Sequence, residues 1–431
     1  MGLGLRAINR LARLQALDRL GLRKPAERAL FSGAKLGFGA AAAVGRRFRA
    51  TRRLTQPERL GAAARTDLFD LTPSDEQQML RDAVQEYARE KLRPAAQAAD
   101  AACAAPQALL AGVAELGIGH VSIPEALGGA GAQRSAISNV LIAEALAQGD
   151  MGLAVAALAP VAVSTALTLW GDEQQQAAYL PAFVGEHAPV AALAVLEPRP
   201  LFDPLSLQTR ARRSGDGFVL DGVKSLVPRA AEAELFIVAA MLDDAGPALF
   251  VVETAGARLQ VEPEPAMGLR AAATARLRLE GVRVPAGALL AEGDAEVYRA
   301  CIRLARIGWC ALALGSARAA LDYVIPYVNE RVAFGEPISH RQSVAFAVAD
   351  MAIELEGMRL ATWRAASRAE QGMDYARETA LARRLCADKG MAIGADALQL
   401  LGGHGYVKEH PVERWYRDLR AAAVMEGVVL V

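Results

Sequence analysis

The chain has 431 residues, 53% apolar and 22% charged, enough for two or three domains with a real core. Its formal net charge is zero, which excludes the overall basic balance of a nucleic-acid-binding protein. Four cysteines without a CxxC and five histidines without HxxxH or HExxH spacing exclude a disulfide scaffold and give no metal-ligand pattern.

The charge is unevenly spread. Residues 1–60 hold 14 Lys/Arg against 3 Asp/Glu, a net of +11, and the remaining 371 hold 34 against 45, a net of −11. Within 1–70, Leu5, Ile8, Leu11, Leu14, Leu17 and Leu20 recur at helical spacing with Arg6, Arg10 and Arg13 elsewhere on the wheel. Three readings fit this basic amphipathic helix: a peripheral anchor on an anionic membrane, an Arg-rich transit peptide, or a helix packed on the body or a partner. GRRFRATRR (45–53) reads as a solvated linker. No run reaches about 18 consecutive apolar residues, so no transmembrane helix is expected.

Residues 71–190 read as a helical domain. Ser74 before Asp75-Glu76 is a helix start, and Met79, Ala83, Tyr87 and Leu92 keep the period. PEALGGAG (124–131) is a glycine-rich turn before an alanine-rich helix. Residues 191–290 change to short β-leaning runs at 190–196, 217–220, 235–241, 248–253 and 276–284, with a turn at 214–217. They predict a small antiparallel β-domain. Residues 291–431 return to long helices, broken at Gly335-Glu336-Pro337. The fold class is therefore mainly α with a central β-domain. Cys103, Cys301, Cys310 and Cys386 are expected as reduced core residues.

Two features mark the C-terminal stretch 399–427. Gly402-Gly403 and Gly405 let backbone approach a ligand. Glu426 stands alone in an apolar run, AAAVM-E-GVVLV, either at a surface turn or desolvated. A desolvated carboxylate there would be a competent base near neutral pH.

From residue 70 onward the chain resembles the acyl-CoA dehydrogenase family. ELGIGHVSIPEALGGAG (115–131), GDEQQQAAYLP (171–181), Met267-Gly268-Leu269-Arg270 with LEGVRVP (279–285), ERVAFGEPISHRQSVAFAVADM (330–351) and QLLGGHGY (399–406) through MEG (425–427) fall in the family's order. The resemblance implies a helical N-domain, a β-domain and a C-terminal four-helix bundle, with FAD between the β-domain and the C-terminal helices. It implies α,β-dehydrogenation of a fatty acyl-CoA, with electrons leaving to an electron-transfer flavoprotein. Glu426 matches the family's base, Gly427 the close backbone approach beside it, and Arg306 an arginine near the thioester. Arg331, Phe334 and Gln342 match the R-x-x-F-G…Q pattern that reaches the FAD of a neighbouring subunit, which implies a homodimer or homotetramer. Gln399, Gly402 and Gly403 match the segment at the adenosine half of FAD.

The sequence also departs from the family. The usual T-E-P-x-x-G-S-D segment reads LEPRPLFD, which keeps Glu197, Pro198 and Asp203 but has Leu196, Leu201 and Phe202 for Thr, Gly and Ser. The usual W-I-T reads Leu226-Val227-Pro228, and proline has no N–H to offer a flavin. Arg303 and Ala305 stand where small polar or acidic residues are usual, and the chain ends four residues after Gly427, where the family continues. The reading is thus an FAD-dependent acyl-CoA dehydrogenase. The alternatives are a catalytically weak partner subunit and a flavin oxidase or monooxygenase of the same fold. The expected setting is cytoplasmic, peripheral on the membrane, or the mitochondrial matrix in a eukaryote.

Overall fold

The computed structural model describes residues 71–130, 135–185, 187–243 and 245–431, so the basic amphipathic helix and linker expected within 1–70 lie outside the described residues. The first helix, α1 (Asp75–Tyr87), begins where its sequence signals it. Ser74 Oγ accepts the Gln77 N–H at 3.2 Å, and the Gln77 side chain accepts the Ser74 N–H at 3.0 Å, a reciprocal capping box. The chain continues through a π-helical turn into α2 (Arg93–Ala102), then α3 (Gln107–Glu115), α4 (Ala136–Gly149), α5 (Met151–Trp170) and α6 (Glu173–Phe183). α5 has 20 residues without a charge, apolar enough to cross a membrane by composition, yet 72% of its apolar window is buried inside the protein. It is a core helix, all but encased by its neighbours.

Seven strands follow: β1 (Ala191–Ala194), β2 (Arg210–Ser214), β3 (Gly217–Val227), β4 (Leu235–Leu242), β5 (Gly246–Glu253), β6 (Leu259–Pro263) and β7 (Ala275–Pro285). Their order is β1-β4-β2-β3-β7-β6, with β5 also paired to β4. Most pairings are antiparallel, as expected, but β4 runs parallel to β1 and to β2. Parallel neighbours need a long crossover, and the 195–234 stretch with its β2–β3 hairpin supplies the one between β1 and β4.

The C-terminal part holds α7 (Ala295–Glu330), the hairpin strands β8 (Val332–Ala333) and β9 (Glu336–Pro337), α8 (Gln342–Glu370), α9 (Ala376–Leu401), α10 (Val412–Leu419) and α11 (Ala421–Val424). α7, α8, α9 and α10 pack as the helical bundle. Cys301, Cys310 and Cys386 are buried in the core, but Cys103 is exposed. It ends α2 in a left-handed conformation that turns it out of the core.

A cluster of buried charges ties the three parts together. Arg414 donates to Asp150 at 2.9 Å, and Arg417 grips Asp100 with two bonds of 3.0 Å. Asp418 accepts the Leu269 N–H at 2.7 Å, which docks the 267–272 turn of the β-domain onto α10. Burial, helped by the charge of Asp150, pushes the Asp418 carboxyl up to about 8. A folded-state value raised above the unfolded one means that the stability this group contributes is whole at about pH 4. It is lost as pH rises through about 8. Asp418→Asn keeps an acceptor for Leu269 and cannot ionise. Thermal unfolding should therefore show the wild-type midpoint falling between pH 5 and 9, and a flatter profile in Asp418→Asn. Equal slopes would rule this account out.

Candidate active site

The helix pair α10–α11 delivers the chain to Met425 and Glu426, and Glu426 is only 7% exposed. Of the two alternatives in the sequence, the carboxylate takes burial. Its surroundings are nonetheless charged, not apolar. Arg306, on α7, grips it with Nη2 at 2.7 Å from Oε1 and Nε at 3.1 and 3.0 Å from the two oxygens. Arg383, on α9, donates to the Met425 carbonyl at 2.7 Å and reaches Glu426 Oε1 at 3.4 Å. Burial alone would lower the Arg306 guanidinium, but its bonds to Glu426 outweigh burial and raise it. Arg383 lies deeper, and there burial wins and lowers it despite Glu426. Arg383 was not singled out from sequence. The Arg383-Arg384 pair was visible, but only the buried stripe Thr379–Ala382–Cys386–Gly390 shows which of the two lies near the core.

Gly427 turns the chain at φ +70°, and a Cβ there would lie 2.5 Å from Val195 Cγ2. Both the conformation and the close approach require glycine. The Gly427 carbonyl accepts the Trp309 Nε1–H at 2.8 Å, so the residue after Glu426 is pinned to α7. Val195 follows β1 and lies two residues before Glu197, so the 425–427 turn lies against the segment that carries the altered LEPRPLFD motif.

Within that motif Glu197 points inward. It accepts Lys224 Nζ at 2.9 Å and the backbone N–H groups of Gln208 at 2.7 Å and Thr209 at 2.9 Å. Lys224 is wholly buried and also donates to the Val195 carbonyl at 3.1 Å. Burial pulls the Lys224 ammonium down to about 8, with Glu197 holding it from falling further. Burial would raise the Glu197 carboxyl, but Lys224 and the two backbone donors outweigh it and hold the group below its usual range. Leu196 is buried beside Glu197 and Phe202 packs partly on the core, but the tip of the motif faces outward. Leu201 is 99% exposed, and Phe202 lies under the Arg199 guanidinium at 5.4 Å. At the other altered motif, the Leu226 N–H and the Ser225 hydroxyl both donate to Glu264 at 2.7 Å.

A second locus lies on the bundle. Arg331, Phe334, Gln399, Gly402 and Gly403 line one cavity of about 790 Å³, together with Arg341 and His404. Arg331 caps the end of α7, the Gly402-Gly403 pair ends α9, and the β8–β9 hairpin carries Phe334 out to 94% exposure. Gln342 begins α8 beside this cavity without lining it. Glu426, Arg306 and Gly427 do not line it either, so the sequence-predicted residues form two separate groups.

For a flavin dinucleotide, the cavity has a fitting donor set. Two guanidiniums suit a pyrophosphate, and the glutamine and imidazole suit an adenosine. At the Leu226-Val227-Pro228 motif the Leu226 N–H is already taken by Glu264, so it is not free for a flavin ring. Among the described residues no group of three or more His, Cys, Asp or Glu could hold a metal ion.

Helical, β and helical parts in this order, with a buried carboxylate beside the sheet and a dinucleotide-sized cavity on the bundle, define a flavin-dependent oxidoreductase. Sequence models of the acyl-CoA dehydrogenase N-terminal, middle and C-terminal domains match residues 74–186, 192–282 and 295–429. The short-chain specific acyl-CoA dehydrogenase, mitochondrial, of Bos taurus is 35% identical over 360 residues, covering 81% of this chain and 86% of that protein. The structure of butyryl-CoA dehydrogenase from Megasphaera elsdenii is similar at a TM-score of 0.77 and 30% identity, covering 83% of this chain and 96% of that one. A structure described as the electron transferring flavoprotein of Acidaminococcus fermentans matches at a TM-score of 0.77 and 31% identity, with the same coverage of both chains. This chain belongs to the acyl-CoA dehydrogenase family, whose members are oxidoreductases and carry FAD.

Proposed function

We propose that the chain catalyses α,β-dehydrogenation of a fatty acyl-CoA thioester to the trans-2-enoyl-CoA, with Glu426 as the base. The observation that carries the reading is the position of Glu426. It is buried, held by Arg306, and adjoins through Gly427 the LEPRPLFD segment, which matches the family's flavin-ring segment. The thioester acidifies the α-carbon, and Glu426 takes the α-proton on a carboxylate oxygen. The C–H electron pair becomes the new C=C bond as the β-hydrogen leaves as hydride. Bound FAD supplies the hydride acceptor. Arg306 holds the carboxylate in one orientation, and Trp309 fixes the turn after it, so both act before chemistry by positioning.

In the same reading Arg331 and Arg341 would hold the FAD pyrophosphate, and Gln399 with Gly402-Gly403 the adenosine. The separation of this cavity from Glu426 supports a cofactor shared between subunits. So does an exposed stripe on α8, where Phe346, Ile353 and Leu360 recur every seven residues at 60, 68 and 56% exposure. Sedimentation velocity should therefore give a dimer or tetramer, and a monomer that still binds FAD would exclude a shared site. Electrons would pass to an electron-transfer flavoprotein in the cytoplasm or matrix. The basic stretch 1–53 would add a peripheral membrane contact, read by cosedimentation with anionic vesicles.

A second reading, a partner subunit with little activity, is favoured by one observation. The backbone donor at Leu226 is spent on Glu264, and Pro228 has none. The visible spectrum of the purified protein separates the two. A flavin spectrum that bleaches on anaerobic addition of a fatty acyl-CoA supports the dehydrogenase, and a colourless protein that takes up no FAD overturns it.

A further inference from the structure

Beside the Arg331 cavity stands an assembly of rings. Tyr323 and Tyr327 lie one turn apart on α7, and each holds an imidazole. The Tyr323 hydroxyl bonds His410 Nδ1 at 2.8 Å, and the Tyr327 hydroxyl bonds His404 Nδ1 at 2.9 Å. The imidazoles stack with centroids 5.0 Å apart and planes 18° apart. Trp415, wholly buried, meets Tyr323 edge-on at 5.6 Å and closes the assembly on its inner side. His404 and Tyr327 also line the cavity, so the outer edge of the assembly forms part of its wall.

The bonds decide what His404 presents. The Tyr327 hydroxyl has one proton, with the Leu401 carbonyl at 3.2 Å and His404 Nδ1 at 2.9 Å both in reach. In either tautomer the bond to Tyr327 occupies Nδ1, as donor when the hydroxyl turns to Leu401 and as acceptor when it turns to the ring. With Nδ1 committed, only Nε2 is left for the cavity. It is an N–H donor when Nδ1 accepts from Tyr327 and in the imidazolium, and a lone pair in the other neutral tautomer. A ligand acceptor in the cavity favours the states in which Nε2 carries a proton, and a charged ring would donate the stronger bond.

We propose that His404 contacts the cofactor, donating from Nε2 to a phosphate or other acceptor of the dinucleotide, with Tyr327 and His410 fixing its ring. This rests on the reading of the cavity as the FAD site. The charged and titratable groups around the pair are Tyr323 and Tyr327 on α7, and Arg331 and Arg341 on the cavity rim. Asp396 lies on α9, Lys408 and Glu409 on the connecting loop, and Arg93 over the Trp415 ring. Asp396 also lines the cavity and burial raises its carboxyl, so its amide variant separates its contribution from that of the imidazoles.

The test is FAD affinity of the full-length apoprotein from pH 5.5 to 8.5, read by flavin fluorescence. Wild type and Asp396→Asn should both bind more tightly as pH falls through the imidazole range. His404→Gln should lose about tenfold in affinity at pH 6, one strong hydrogen bond's worth, and its profile should flatten. Tyr327→Phe, which frees the ring without removing it, should lose less and keep the slope. A flat wild-type profile, a flat Asp396→Asn profile, or His404→Gln with wild-type affinity and slope, overturns the proposal. Arg331→Ala distinguishes the levels. If it weakens FAD while His404→Gln does not, only the histidine role falls. If neither weakens FAD, the cavity is not the FAD site.

Discussion

Glu426→Gln should bind FAD and acyl-CoA yet fail to bleach the flavin on anaerobic mixing. The amide has nearly the shape of the carboxylate and can still accept from Arg306, so the turn at 425–427 should persist. What it lacks is a site for the α-proton. General-base catalysis is worth about 10²–10⁴-fold, so stopped-flow reduction of the flavin should slow by at least that factor. The two arginines complicate the outcome in a measurable way. In wild type the carboxylate is held by Arg306 at 2.7 Å and approached by Arg383 at 3.4 Å, so it must loosen one bond to reach a substrate carbon. Charge neutralisation in Glu426→Gln leaves both guanidiniums without a counter-ion in a half-buried place, and a modest fall in melting temperature should accompany the kinetic loss. Reduction at the wild-type rate would remove Glu426 from the role of base, whatever its fit to the family pattern.

The order of helices, sheet and helices was readable because apolar periodicity switches near residues 190 and 290. What the periodicity could not show were the polar edges. β2 is RARRS with only Ala211 turned inward, and β6 is LQVEP without a buried residue, so neither has an apolar alternation to detect. Parallel pairing of β4 was equally hidden, since alternation along a strand says nothing of its neighbour's direction. At the candidate site, the gathering of Arg331, Phe334, Gln399 and Gly402 in one cavity spans about seventy residues of chain. Only a resemblance could bring them together on paper, because no local pattern links the end of one helix to the end of another. Glu426 was visible as a charge in an apolar run, but its partners were not. Lys224 lay outside the strand the sequence pattern predicts. It lies in VKSLV, beyond the expected strand at 217–220 but inside β3, and there it projects from a face buried against a glutamate.

That buried pair sets the second large effect. Glu197→Ala should destabilise the protein by about 3–5 kcal/mol, the usual consequence of removing one member of a buried ion pair. The side chains of Lys224 and Glu197 are 0 and 2% exposed, so solvent cannot replace the missing carboxylate. Three donors lose their acceptor at once: the ammonium and the N–H groups of Gln208 and Thr209. The pH dependence identifies the cause. Lys224 ionises near 8 in the folded protein and higher when unfolded, so the folded state gains stability as pH rises through 8 and above. Without Glu197 the ammonium is disfavoured further, so that gain should begin at lower pH and part of the deficit at pH 7 should disappear by pH 9. Adding Lys224→Met should restore much of the loss, because a buried ion pair is worth little more than an apolar pair of similar volume. FAD retention should separate stability from function. Glu197 anchors both ends of the 198–207 loop, which carries Leu201 and Phe202 of the altered motif, proposed above to lie by the flavin ring. The double variant should therefore regain part of the lost melting temperature yet release FAD faster than wild type, since Gln208 and Thr209 still lack their acceptor. If it retains FAD as wild type does, the loop does not hold the ring, and the seat must be built from the Leu226–Pro228 side alone.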